Sequence, residues 1–373
     1  MKITMVGPVY PYKGGISHYT GLLHKALSKS HEVEMISYKM QYPRILFKKE
    51  QKDHSNDTFK VEHTEFLLHT ANPFNWVKTA LHIKKTVPDV VIVQWWHPYF
   101  APCYYILSKL LRKTKLFFVC HNVFPHEHFP LDRFLSGLVL KQGNYFIVQS
   151  GTDEKDLLSM KPDARYTLSP HPTYNAFKIN DLSHKEARDM LMIDESIPVI
   201  LFFGFVREYK GLKHLLRAMR TIREELQDIQ LWVVGDFGSD RQDYFDMINE
   251  LAVKDCIRVI DGYVPDKEVE KYFAAADMVA LPYESATQSG IVQIAYGFEK
   301  PVVVTDVGGL PDVVEDGTTG YVVPAGDSDK LAEAVIKYFR EHKADEFVEH
   351  IRERADFFSW ERMAERVDKL ISN

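Results

Sequence analysis

Apolar residues in this chain fall mostly in short runs rather than in strict alternation with polar ones. In the first half the runs lie at 2–6, 31–37, 89–94, 116–120 and 145–149. The stretches between them carry apolar residues at helical spacing, beginning with a helix over about 16–28. A run apolar at nearly every position has both of its faces buried, which predicts a parallel sheet covered by helices on each side. The second half repeats the scheme, with runs at 198–204, 231–234, 257–260, 278–281, 301–305 and 320–323. There Leu212, Leu215, Leu216 and Met219 share one helical face, and further helices are expected over about 267–276 and from 328. The final segment sets Trp360, Met363, Val367 and Leu370 on one stripe. Between the halves, 166–179 contains Pro170 and Pro172 and little periodicity, which suits a linker. The fold class predicted is α/β, with two Rossmann-like domains at 1–170 and 171–357.

Length and composition agree with two domains. A chain of 373 residues exceeds what one hydrophobic core usually serves, and 45% apolar with 26% charged residues describes a globular protein. Cys103, Cys120 and Cys256 are far apart and lack metal-ligand spacing, which fits a reducing, cytoplasmic setting. The first residues read as a strand and turn rather than a signal peptide, and no apolar run approaches the roughly 18 residues of a membrane span.

Net charge divides the chain. Residues 1–170 hold 22 Lys+Arg and 14 Asp+Glu, a net of +8; subtraction from the totals of 46 and 52 leaves 24 and 38, a net of −14, for 171–373. The first half is therefore expected to face something anionic. Three segments make it basic: Lys78, His82 and Lys85 on one predicted helix, Lys109, Arg112 and Lys113 on the next, and YPRILFKKEQK at 42–52. The last mixes Ile45, Leu46 and Phe47 with Arg44, Lys48, Lys49 and Lys52, a composition suited to an anionic membrane surface. No nucleic-acid partner is expected.

Candidate chemistry gathers where strands end. A helix entered through Ser289 and Gly290 offers unpaired backbone N–H groups to an anion such as a phosphate. Gly14 and Gly15 precede the first helix and permit close backbone approach. Arg207 and Lys210 bracket a turn just before a helix start, where as plain surface charges they would oppose the helix dipole. On the rim of the first sheet the strand ends place Trp96, His97, His121 and Ser150. His121 reads either as a site residue or as a histidine capping its strand by a backbone hydrogen bond. His126 and His128 lack a third ligand and read as a polar loop rather than a metal site.

The segments GPVYPYKGGIS, GFVREYKG and PYESATQSGIVQIAYGFEKPVVVTDVGGLPD, in this order, resemble the family-4 glycosyltransferases of the GT-B fold, particularly bacterial ones that build surface polysaccharides. The resemblance spans nearly the whole chain and implies that the terminal helix, 358–373, joins the first domain. It further implies retaining transfer of a sugar from a nucleotide-sugar donor to a glycan or lipid-linked acceptor, in the cleft between the domains. Arg207 and Lys210 then neutralise the donor diphosphate, Ser289 and Gly290 hold it, and His121 stands near the transferred sugar. Glu284 also approaches that sugar, and Tyr263 and Val264 grip the nucleobase. The donor side further includes Gly14, Gly15, Gly204 and Gln293, and the acceptor side Trp96 and His97. Neither cofactor nor metal is expected, so fixed cations and amides must meet the charge of the leaving group. The site would lie in the cytoplasm, against the inner face of a membrane.

One departure from the family stands out. The family usually places a second glutamate downstream of the first, on the ribose hydroxyls. Here the two ways of counting put Val292 or Ile294 at that place, with Gln293 as the polar neighbour. Two alternatives follow: a subunit that binds nucleotide sugars without transfer, and a GT-B-like epimerase. A nicotinamide-dependent oxidoreductase is disfavoured, because no GxGxxG follows Val6.

Overall fold

The apolar runs form strands buried on both faces, and they assemble into two separate sheets. In the computed structural model, which describes residues 1–54, 57–125 and 130–372, one unit comprises residues 1–170 and 359–373 and the other residues 171–358.

The first unit holds β1 (Lys2–Val6), β2 (Glu32–Met40), β3 (Glu65–His69), β4 (Val90–Trp95), β5 (Lys115–Cys120), β6 (Tyr145–Val148) and β7 (Arg165–Leu168). All pair in parallel, in the order β3-β2-β1-β4-β5-β6-β7. The central β4 is buried at every position, as its unbroken run requires. β3 and β7 were not foreseen. Both are edge strands with exposed residues, so neither shows a continuous apolar run, and β7 occupies the start of the expected linker. The direction of strand order reverses between β1 and β4, and ligands of open parallel sheets bind at the strand ends beside such a reversal.

The terminal helix Trp360–Ser372 belongs to this first unit. It buries Met363, Val367 and Ile371, each one turn from the last, against a core that includes Ile3, Met5, Tyr19 and Leu23. Each such side chain contributes roughly 1.5–3 kcal/mol. Ile371 takes the place expected of Leu370, which packs only at the margin. Lys29 with Glu361 and His31 with Asp368 bind its outer edge at 2.5 and 2.7 Å.

The second unit holds β8 (Val199–Phe203), β9 (Gln230–Gly235), β10 (Ile257–Asp261), β11 (Met278–Leu281), β12 (Val302–Thr305) and β13 (Gly320–Val323). They pair in parallel in the order β10-β9-β8-β11-β12-β13, with the reversal between β8 and β11. The helix Leu212–Glu225 buries Leu212, Leu215, Leu216, Met219 and Ile222 against this sheet, the stripe its spacing predicts. The helix Gly290–Gly297 is apolar nearly all round, and Val292, Gln293, Ile294, Ala295 and Tyr296 are all buried.

Candidate functional site

At the second unit's reversal, three segments meet: the turn after β8, the loop after β11, and the start of the helix Gly290–Gly297. Gly204 ends β8 with φ 108°, and a Cβ there would lie 3.3 Å from Lys210 Nζ and 3.7 Å from Ile291 Cδ1. The Lys210 ammonium therefore sits between the β8 turn and the first turn of that helix. It also lies 5.4 Å from the centre of the Tyr283 ring, whose hydroxyl is 3.5 Å from Ser289 Oγ. Ser289 Oγ accepts the Ile291 N–H at 3.2 Å, which caps the helix and leaves the Gly290 N–H without a protein acceptor among the described residues.

The turn that carries both cations is held rigidly. Gly211 has φ 63°, and a Cβ there would stand 1.9 Å from the Pro282 carbonyl oxygen, so only glycine lets the turn lie against the β11 loop. The Glu284 N–H closes the same contact by donating to Tyr209 O at 2.7 Å. Arg207 donates to Val206 O at 3.1 Å and lies over the exposed Phe205 ring.

Neither Arg207 nor Lys210 pairs with a carboxylate among the described residues. Other arginines of this unit do: Arg223 with Asp255 and Arg241 with Asp261, each at 2.6 Å. Burial first, with the nearby Arg207 charge adding to it, holds the Lys210 ammonium below the usual lysine pKa, while Tyr209 opposes the shift. A desolvated ammonium without a carboxylate partner among the described residues, near the first turn of a helix, is an arrangement that favours an anion.

Glu284 is drawn away from those two cations. Its Oε1 accepts from Lys213 Nζ at 2.9 Å and from His214 Nε2 at 2.7 Å. Lys213 first and His214 second hold its carboxyl below the ordinary glutamate pKa. Farther along the rim, Tyr263 is partly exposed after Gly262, and Val264 is half-buried beside it.

In the first unit the reversal point looks different. Gly14, exposed and at φ 100°, precedes the helix Gly15–Leu27, and its carbonyl accepts Ser17 N–H at 3.0 Å and His18 N–H at 3.3 Å. His121 follows β5, but its side chain is only 4% exposed, which corrects the expectation of an open rim residue. The ring lies edge-on to Tyr19, with centroids 4.6 Å apart, and its Nε2 is 2.8 Å from Gln94 Oε1. Its backbone N–H donates to Trp95 O at 2.8 Å. Trp96 donates to the Tyr42 hydroxyl at 3.1 Å and packs on Phe100, and His97 Nδ1 accepts the Tyr99 N–H at 3.0 Å. His126 and His128 lie outside the described residues.

Residues 197–341, most of the second unit, match the family described as glycosyl transferases group 1. The chain is 26% identical over 249 residues to a D-inositol 3-phosphate glycosyltransferase of Corynebacterium aurimucosum, an alignment covering 63% of this chain and 58% of the relative. It is 29% identical over 199 residues to a lipopolysaccharide 1,2-N-acetylglucosaminetransferase of Salmonella typhimurium, covering 50% and 51%. Among solved structures, Anabaena Alr3699/HepE in complex with UDP and glucose superimposes with a TM-score of 0.77 over 100% of this chain and 99% of that one, at 18% identity. The chain has the GT-B fold, and its second unit carries the match to the group 1 glycosyl transferases. It spans somewhat more than half the length of the curated relatives it matches first.

The second unit brings Lys210 close to Gly204, Tyr283 and Ile291, while Arg207 lies over Phe205 and beside Gly238. Gln293 is a correction. Gly290 and Gly297 both pack against Tyr174, and Gln293, three residues from one and four from the other, shares that face. It is 1% exposed and turned away from the Ile291 side, so it does not stand open to a ribose. Val292 and Ile294 are 1% and 7% exposed and serve the core. A DxD triplet, a common metal-binding motif, occurs at Asp327-Ser328-Asp329. Asp327 is occupied as a helix cap, its Oδ1 accepting the N–H groups of Asp329 and Lys330 at 3.1 and 2.9 Å. Arg112 and Lys113 also depart from expectation, lying in the turn beyond the helix Ala101–Leu110 rather than on its face.

Three residues of the site escaped sequence reading. Tyr283 lies against the Lys210 ammonium, and Lys213 and His214 hold Glu284. Lys213 and His214 were legible only as the positions that follow Leu212 in its helix, off the stripe of Leu212, Leu215, Leu216 and Met219. Tyr283 had no signal beyond an aromatic residue at a strand end.

Proposed function

We propose that this protein transfers a sugar from a nucleotide-sugar donor to a glycan acceptor carried on a lipid, with retention of anomeric configuration and without a metal. The observation that carries the reading is Lys210, buried and unmatched by acid near the start of the helix Gly290–Gly297, with Arg207 in the same turn. As the bond to the anomeric carbon breaks, negative charge grows on the leaving diphosphate oxygen. Cations and amides already in place stabilise that charge without reorganising. Attack on the same face lets the departing phosphate take the acceptor's proton, so the protein need not supply a base. Glu284 would meet the transferred sugar, Tyr263 and Val264 the base, and Gly14, Gly15, His121, Trp96 and His97 would serve from the first unit.

The acceptor's lipid is supported by the segment after β2. Ile45, Leu46 and Phe47 are 84, 63 and 41% exposed, among Arg44, Lys48 and Lys49, and Phe74, at 88%, projects from the helix Pro73–Thr86 that also carries Lys78 and Lys85. Apolar side chains within a basic surface suit an anionic bilayer on the cytoplasmic side.

A thermal-shift screen with UDP-, GDP- and ADP-linked sugars tests the donor, and transfer assays with Arg207→Ala and Lys210→Ala test the clamp. Undiminished transfer by both variants would remove the assignment. Donor binding with no turnover on any acceptor would favour a non-catalytic subunit, to which the apolar Val292 and Ile294 lend some support. Product formed from donor alone would favour an epimerase. Flotation with liposomes that did not depend on anionic lipid would remove the membrane surface.

A further inference from the structure

We infer that His214 is a positioning residue that aims the carboxylate of Glu284 at a hydroxyl of the transferred sugar. The inference deepens the donor-site reading above and rests on it. One oxygen of Glu284 is fully engaged: Oε1 receives both His214 Nε2 and Lys213 Nζ, at 2.7 and 2.9 Å. Its other oxygen, Oε2, accepts nothing from the protein among the described residues. A carboxylate tethered by one oxygen presents the second in a fixed direction, and an ionised carboxylate can only accept. The group that completes it is therefore a donor, and the donors of a hexose are its hydroxyls.

His214 is built to hold that geometry and nothing else in view. Its ring is 9% exposed and lies in a slot between two glycines: a Cβ on Gly211 would stand 3.2 Å from Cδ2, and one on Gly326 3.8 Å from Cε1. Its Nδ1 is buried with no hydrogen-bond partner, so Glu284 is the polar contact of the ring. A histidine serving the fold alone ordinarily satisfies both nitrogens when buried. Because Glu284 accepts, Nε2 carries the proton. Lys213 cannot replace it: that side chain is partly exposed, and its ammonium is shared with Glu208 at 3.6 Å. The backbone of Glu284 is tied in turn to Tyr209, in the turn that bears Arg207 and Lys210, so sugar and diphosphate contacts are set by one rigid assembly.

The test compares His214→Phe, His214→Gln and Glu284→Gln. Calorimetry is run with UDP, GDP and ADP, and with UDP-glucose, GDP-mannose and ADP-glucose. Release of free sugar from the same sugar nucleotides gives turnover. His214→Phe should leave affinity for the bare diphosphate within about twofold and lower turnover roughly tenfold, the worth of one charge-assisted hydrogen bond. His214→Gln, which can still donate to Glu284, should recover most of the loss. Added to Glu284→Gln, His214→Phe should cost little more, since coupled residues do not add. If His214→Phe does not fold, His214→Asn, too short to reach Oε1, takes its place with the same outcomes. Equal weakening of bare diphosphate and sugar nucleotide, or a full additional loss on Glu284→Gln, would overturn the inference. If the wild type binds none of the three diphosphates, the donor-site reading itself falls, and that failure is distinct from a loss confined to the variants.

Discussion

The two units are alike in architecture and opposite in what they put at the point where strand order reverses. The first is the basic one: 359–373 adds three Lys+Arg and three Asp+Glu, so the +8 of 1–170 stands for the whole unit. Yet its strand ends carry Gln94, His121 and Gln149, all buried, with His121 edge-on to Tyr19. The second unit, with the remaining 21 and 35 and a net of −14, places two cations without acidic partners at its reversal. On the proposed function, net charge thus points away from the unit that would hold the phosphate. What matters for a tightly held anion is local desolvation and the absence of a counter-ion, while summed surface charge bears on a broad, screened partner such as a lipid surface.

The sharpest way to break this comparison is to neutralise each unit's cations separately. Arg207→Ala with Lys210→Ala should lower sugar transfer more than about 100-fold, each lost charge-assisted contact being worth about 1.5–3 kcal/mol. Lys109→Ala, Arg112→Ala and Lys113→Ala together should change donor affinity less than about twofold, because exposed charges are screened. Matched losses in the two variants would show that net charge, not the local site, binds the donor.

A second contrast uses the two glycines that precede the helices. Gly211→Ala must push the Pro282 carbonyl aside and should cost about 3 kcal/mol or more in chemical denaturation, with donor affinity falling too. Gly14→Ala meets nothing within 4 Å and pays only for its φ of 100°, about 1–2 kcal/mol. Equal costs would mean that the turn is not braced by the β11 loop.

The smallest effect is in the pH profile. An anion binds the protonated Lys210, so donor affinity should fall as pH rises through the lowered pKa of that ammonium. Stability moves the other way. Between the lowered pKa and the ordinary value of 10.5, the folded protein binds fewer protons than the unfolded chain, so its stability gains as pH rises through that window. Lys210→Arg should flatten the affinity profile, because a guanidinium stays charged. Titration of donor binding beside thermal melts over the same pH range separates the two signs.

How much of this was legible in order of residues depends on whether the signal was local. The central strands, the Leu212 helix and the start of the helix Gly290–Gly297 were legible, because burial on both faces writes an unbroken apolar run and a helix start writes Ser289-Gly290. The edge strands β3 and β7 were not, since one side of each meets solvent and half of its positions are polar. The role of the loop after β11 was legible only in part. Glu284 was identifiable, but its restraint by His214, 70 residues earlier, was not.

By itself the sequence determined two parallel α/β units, the helix start at Ser289-Gly290, and apolar core residues at 292 and 294. These are matters of residue type at a given spacing, set by period and by backbone chemistry. Only the tertiary structure decided that His121 is enclosed, that Gln293 faces Tyr174, and that Lys213 and His214 claim one oxygen of Glu284. Each of those depends on which side chains distant in the chain arrive at the same place, and no local pattern records an encounter between segments brought together only when the sheet closes.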